Sequence, residues 1–173
     1  MEMLEGILTR RSVRKYTGEP VSDEELRAIL TAGMSGPSAV NARPWSFLVI
    51  RDKETLERTV EAAGRATTPL KDADVGILVC GDLEKAFSRA PDFWVIDGSI
   101  SCQNMLLAAH SLGLGGVWLG VWPVEEKMRG VRELFDLPDP IVPHSLLAIG
   151  RPAEQPAPRE GLYEEERIHW EKW

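Results

Sequence analysis

Positive charge is scarce in this chain, and one short stretch gathers much of it. Lys and Arg number 20 against 27 Asp and Glu over 173 residues, a net charge of −7. Yet Arg10-Arg11-Ser12-Val13-Arg14 packs three guanidinium groups and a hydroxyl into five positions. Arginine binds phosphate bidentately and stays charged at any physiological pH, so this cluster suits a phosphate. It equally suits a solvated helix C-terminus, where cations complement the helix dipole. A second stretch, Pro37-Ser38-Ala39-Val40-Asn41-Ala42-Arg43-Pro44-Trp45, fixes its path with two prolines and carries donors at Ser38, Asn41 and Arg43. These donors fit a planar polar ligand or an ordinary turn. In a third, Gly113-Leu114-Gly115-Gly116, missing side chains let backbone N–H groups approach a ligand or allow a tight helix-to-strand turn.

Other chemistries lack the residues they need. His110, His144 and His169 show no metal-ligand spacing, and neither a GxSxG elbow nor a Walker A sequence is present. The glycine run has Trp118 where a dinucleotide fingerprint needs its third glycine, and it follows a helix and precedes a strand, the reverse of that motif's order. Cys80 and Cys102 sit among apolar neighbours without CxxC spacing and read as buried thiols. The acidic balance argues against a broad nucleic-acid interface. Residues 93–122 are interrupted by Asp97, Gln103, Asn104 and His110, which argues against a membrane span. The chain opens without a basic stretch followed by an apolar one, so the expected compartment is the cytoplasm.

The elements that must position these residues follow from periodicity. Met3, Leu4, Ile7 and Leu8 have helical spacing. Ser22 and Glu25 form a capping box before a stripe of Leu26, Ile29 and Leu30, with Gly33 as a stop. Strands are predicted over 46–50, 74–80, 117–121 and 145–149, and helices over 53–63 and 124–135. From Pro91 the apolar residues run all round a helix, so it should be central and covered on several sides. The class is α/β or α+β. After Gly150, Pro152, Pro156 and Pro158 stiffen an extended tail that ends in Trp170 and Trp173. Rings of that size need a surface to cover them, and a dimer exchanging its C-terminal arms supplies one.

Taken in order, Arg10-Arg11-Ser12-Val13-Arg14-Lys15-Tyr16, the Pro37 to Trp45 stretch, Gly113-Leu114-Gly115-Gly116-Val117-Trp118-Leu119-Gly120 and Gly150-Arg151-Pro152 resemble the nitroreductase family of FMN-dependent oxidoreductases. The ending Arg167-Ile168-His169-Trp170-Glu171-Lys172-Trp173 is similar to that of its short members. The resemblance implies an α+β fold with a mainly antiparallel central sheet flanked by helices. It also implies an intertwined homodimer with FMN at the interface, residues 1–150 forming the FMN-binding domain and 151–173 an arm on the partner. Carried over by position, Arg10, Arg11, Ser12 and Arg14 go to the phosphate, ribityl or pyrimidine end of FMN. Pro37, Ser38, Ala39 and Asn41 would come from the other subunit, and Gly115 and Gly116 would face the reactive flavin edge. Arg151 is a further phosphate candidate, with Arg159 as its alternative, and the pyrimidine contacts of 65–71 stay unassigned.

The activity so implied is hydride transfer from NAD(P)H through FMN to a small-molecule acceptor such as a nitroaromatic, quinone or free flavin. The cofactor carries the redox chemistry, so no catalytic side chain and no metal is expected. Two alternatives stand beside it: an FMN enzyme of the same fold with another reaction, and a non-catalytic flavin-binding protein.

Overall fold

A computed structural model describes residues 2–173. The chain runs α1 (Met3–Thr9), α2 (Asp23–Met34), β1 (Trp45–Ile50), α3 (Lys53–Ala63), β2 (Val75–Asp82), α4 (Phe93–Ser111), β3 (Gly115–Gly120), α5 (Glu125–Leu134) and β4 (Ile141–Gly150). The four strands form one antiparallel sheet in the order β1-β2-β4-β3. Helices cover both faces, giving an α+β fold.

Strand periodicity divides the core in two. Successive side chains point to opposite faces, so Val75, Ile77 and Val79 of β2 join Leu147 and Ile149 of β4 beneath α2 and α4. Leu78 and Cys80, with Leu146 and Ala148, meet Leu56, Val60 and Val131 of α3 and α5 on the other side. The capping box is present: Ser22 accepts from the Glu25 N–H while Glu25 accepts from the Ser22 N–H. Asp52 caps α3 in the simpler way.

Backbones approach closely where α3 crosses α5. A Cβ built at Gly130 would lie 2.4 Å from the Ala62 carbonyl oxygen, a backbone atom that cannot step aside. Gly130→Ala is therefore expected to lower stability by about 2 kcal/mol, the scale of overpacking a rigid core. The urea midpoint of the two proteins measures it, and an unchanged midpoint would show that the helices can part without cost.

Helix α4 packs on the sheet and α2 with one side only. Trp94, Cys102, Met105, Leu106 and Ala109 are buried, whereas Phe93 and Ile96 remain exposed. The expected cover on several sides is therefore not met within one protomer, where the outer stripe is open. Met3, Leu4, Ile7 and Leu8 of α1 are exposed as well. No helix among the described residues is long and apolar enough to cross a membrane.

Candidate functional site

Between α1 and α2 the chain crosses the free edge of β3 in an extended path. The Val13 N–H donates to the Gly116 carbonyl at 3.1 Å, and Ser12 and Gly116 form a parallel bridge. Tyr16 is the anchor: its buried hydroxyl donates within reach of both the Val13 (2.7 Å) and Ala148 (2.9 Å) carbonyls, and burial pushes its pKa up. The first residues of the C-terminal arm run alongside, with Thr17 N–H on the Arg151 carbonyl and Ala153 N–H on the Lys15 carbonyl.

This crossing point exposes the basic cluster in a cleft. Arg10, Arg11, Ser12 and Arg14 line a cavity of about 220 Å³ with Arg159, Ile7 and Leu8. A second cavity of about 260 Å³, bordered by Thr9, His110, Leu114, Gly116 and Glu154, adjoins it at Arg10 and Arg11. None of Arg10, Arg11, Arg14 and Arg159 enters an ion pair among the described residues. Arg10 Nη1 is buried and has no hydrogen-bond partner. Burial first, then the charges of Arg159 and Arg11, pull the Arg10 pKa below its usual value. Like charges crowded around a desolvated donor describe a site built for an anion.

The cluster is not featureless otherwise. Arg11 Nη1 donates to the Ala157 carbonyl, tying down the arm. Glu154 Oε1 accepts from the Arg14 N–H at 2.9 Å. His110, with Nε2 2.9 Å from Thr9 Oγ1, is held below the usual imidazole pKa by burial and then by Arg10.

Arg151 does not belong to this cleft. Both its terminal nitrogens grip Glu25, at 2.9 Å each, joining the arm to the capping box of α2. The Ser22 N–H, then Arg151, hold the Glu25 carboxyl below its ordinary range. Arg159, the alternative, lines the cleft instead. Arg151→Met should cost about 1 kcal/mol of stability, as for a half-exposed bidentate pair, and leave anion affinity within about twofold. Arg159→Met should do the reverse, weakening phosphate-ligand affinity about tenfold with little change in stability. Paired thermal melts and ligand titrations separate the two.

The glycine pair is closely packed on the side where a Cβ would point. A Cβ at Gly115 would lie 2.7 Å from Val13, and one at Gly116 would strike Leu106 and Ile149. Packing against the crossing segment accounts for Gly115 and packing against α4 and β4 for Gly116, whose carbonyl is already taken by Val13. The open edge of β3 lies further along. Because Gly116 turns its backbone polar groups away from β4, the two-residue repeat turns those of Trp118 and Gly120 the same way. Gly120 is exposed, and its carbonyl accepts from Lys127 Nζ at 3.0 Å.

The remaining predicted residues stand apart. Pro37, Ser38, Ala39 and Asn41 form a turn against α4 near its start, where the Ala39 N–H donates to Asp97 Oδ1 at 3.0 Å. The basic cleft lies against the other end of α4, at Leu106 and His110. Asp97 and His110 are about 20 Å apart along the helix axis. One protomer therefore does not bring the two motifs together.

The nitroreductase family matches residues 7–96 and 66–151. The chain belongs to the nitroreductase family. It is 49% identical over 173 residues to a candidate NADH dehydrogenase/NAD(P)H nitroreductase of Methanothermobacter thermautotrophicus, covering 100% of this chain and 88% of the relative. It is 31% identical to the FMN reductase [NAD(P)H] of Bacillus subtilis, covering 99% and 74% of the two chains. A nitroreductase candidate from Desulfovibrio desulfuricans, solved in complex with FMN, superposes with a TM-score of 0.83 at 35% identity and covers 100% of this chain and 98% of that one.

Proposed function

We propose that this nitroreductase-family protein is an FMN-dependent NAD(P)H oxidoreductase acting on small-molecule acceptors, with its site completed by a second copy of the chain. The observation that carries the reading is the buried, unpartnered Arg10 Nη1 in a cleft of uncompensated guanidinium groups. A phosphate dianion supplies the missing acceptor. Arg10, Arg11, Ser12, Arg14 and Arg159 would hold it, and the edge of β3 at Trp118 and Gly120 would offer backbone donors to the rest of the molecule.

Bound FMN supplies the redox chemistry, accepting hydride from NAD(P)H and passing reducing equivalents to a nitroaromatic, quinone or flavin. The chain's own residues would fix the phosphate and leave one end of the edge strand open. Two cavities of about 260 and 220 Å³ fall short of the roughly 300 Å³ and more of a typical ligand pocket. A second protomer would close them. Its Pro37, Ser38, Ala39 and Asn41 would cover the flavin, and the exposed stripe of α4, the apolar face of α1 and the exposed end of the arm, residues 160–173, would form the contact, whereas the start of the arm stays paired with its own protomer.

Anaerobic mixing of the FMN-loaded protein with NADH or NADPH tests the activity. Bleaching of the flavin's visible absorption, reversed by a quinone or nitroaromatic, is expected. A flavin that never bleaches overturns the reductase reading, and a protein that takes up no FMN overturns the cofactor.

A further inference from the structure

The segment that joins α2 to β1 is held in a costly conformation. Val40, Asn41 and Arg43 have φ of 48°, 58° and 51°, three of the five non-glycine residues at positive φ among the described residues. For a β-branched residue such as Val40 this is a true outlier, and such strain persists only where the surroundings enforce it. Within the segment, the Arg43 N–H donates to Ser38 Oγ at 2.9 Å, the Asn41 N–H to the Ser38 carbonyl at 3.0 Å and the Ala42 N–H to the Ala39 carbonyl at 2.9 Å. From outside, Arg43 Nη2 reaches the Met34 carbonyl of α2 at a long 3.4 Å, and the shorter hold at 3.0 Å comes from α4, where Asp97 Oδ1 accepts from the Ala39 N–H.

Asp97 is itself an unusual core residue. It is 2% exposed, makes no ion pair among the described residues, and leaves Oδ2 without a partner. A buried carboxylate with an unmet oxygen costs stability relative to an apolar residue of similar size. Val40, by contrast, is 71% exposed, so its strain serves no packing within the protomer.

We propose that Asp97 is a positioning residue whose carboxylate clamps the Ala39 N–H and so holds Ser38 to Arg43 in the strained shape that meets the flavin of the second subunit. The inference rests on the FMN reading above. Asp97 touches neither cofactor nor substrate in this scheme. It sets the shape of the segment that does.

The test is a cycle of variants read by FMN titration, visible circular dichroism of the bound flavin and thermal melting of the FMN-free protein. Asp97→Ala should weaken FMN binding about tenfold and alter the flavin dichroism. Asp97→Asn, whose amide oxygen can still accept from Ala39, should stay within about threefold of the parent. Val40→Gly added to Asp97→Ala should restore most of the lost affinity, because glycine adopts positive φ without the clamp. Rescue by an exposed residue is not expected if Asp97 merely fills the core. Unchanged affinity and dichroism in Asp97→Ala, or no rescue by Val40→Gly, overturns the clamp. If Asp97→Ala does not fold, Ala39→Pro removes the same donor from the segment's side, at a first-turn position that accepts proline, and the same loss is expected. If the parent protein takes up no FMN, the cofactor reading fails, and hydrogen exchange at the Ala39 amide still decides the clamp: slow in the parent and fast in Asp97→Ala supports it, equal rates sink it.

Discussion

Arg10→Ala is expected to weaken FMN binding about 100-fold while leaving the FMN-free protein at least as stable as the parent. The two halves come from the same geometry. Arg10 Nη1 is buried and unpartnered, so a phosphate oxygen meets a donor already stripped of water. A charge-assisted hydrogen bond to such a donor contributes roughly 2–3 kcal/mol, and a loss of about 2.7 kcal/mol is a factor of 100 in affinity. Without the anion the same guanidinium is a burden, because burial and the charges of Arg159 and Arg11 disfavour its charged form. Removing it relieves both. Arg10→Lys should recover only part of the affinity, since an ammonium offers a point charge in place of a fork. The readouts are quenching of FMN fluorescence on binding and the melting temperature of the FMN-free protein. If Arg10→Ala binds within threefold of the parent, the phosphate lies elsewhere. If the variant instead melts well below the parent, Arg10 is a structural residue.

How much of this was legible in the sequence depended on how local the deciding interaction is. Helix α3 has its predicted limits, and Ser22 with Glu25 makes the expected cap, because both are decided by residues three or four positions apart. The strands are recognisable from their alternation and apolar runs, though β4 begins at Ile141 rather than at Ser145. Its early part passes through Pro143 beside a shift of register between Val79 and Cys80, a pairing made across the sheet. The basic cluster was legible by charge density alone. Which arginine of the tail joins it was not, since Arg151 is claimed by Glu25, 126 positions away, and nothing near Arg151 in sequence announces that partner. Gly115 is the same kind of case. Its missing side chain answers to Val13, which a motif reading cannot see. The role of Asp97 was hidden for a further reason, because one carboxylate in an apolar helix gives no hint of the N–H it meets on another element.

If the proposed dimer exchanges its arms, a chain ending at Glu160 should be monomeric and lose most of its FMN affinity, although it keeps Arg159. The deleted residues carry Leu162, Tyr163, Ile168, Trp170 and Trp173, all exposed in the single protomer, with Trp173 fully so. Burying a tryptophan ring stabilises by roughly 3 kcal/mol, and two exchanged arms would bury four. Even after the cost of ordering the arms, the dimer dissociation constant should rise at least about 1,000-fold. Sedimentation at low micromolar concentration then shows monomer for the shortened chain and dimer for the full one. Affinity for FMN should fall with the dimer because the turn at Pro37 to Asn41 and the basic cleft sit at opposite ends of α4 and, in the proposed dimer, would meet only across two subunits. Arg159 remains, but Leu162, which also lines the cleft, goes with the arm, so a variant of the full chain is needed beside the truncation. Trp170→Ala with Trp173→Ala in the full chain should reproduce the effect in smaller measure, isolating the rings from the rest of the arm. A shortened chain that stays dimeric and equally stable would leave the arm without a part in assembly and move the contact to α1 and the open stripe of α4.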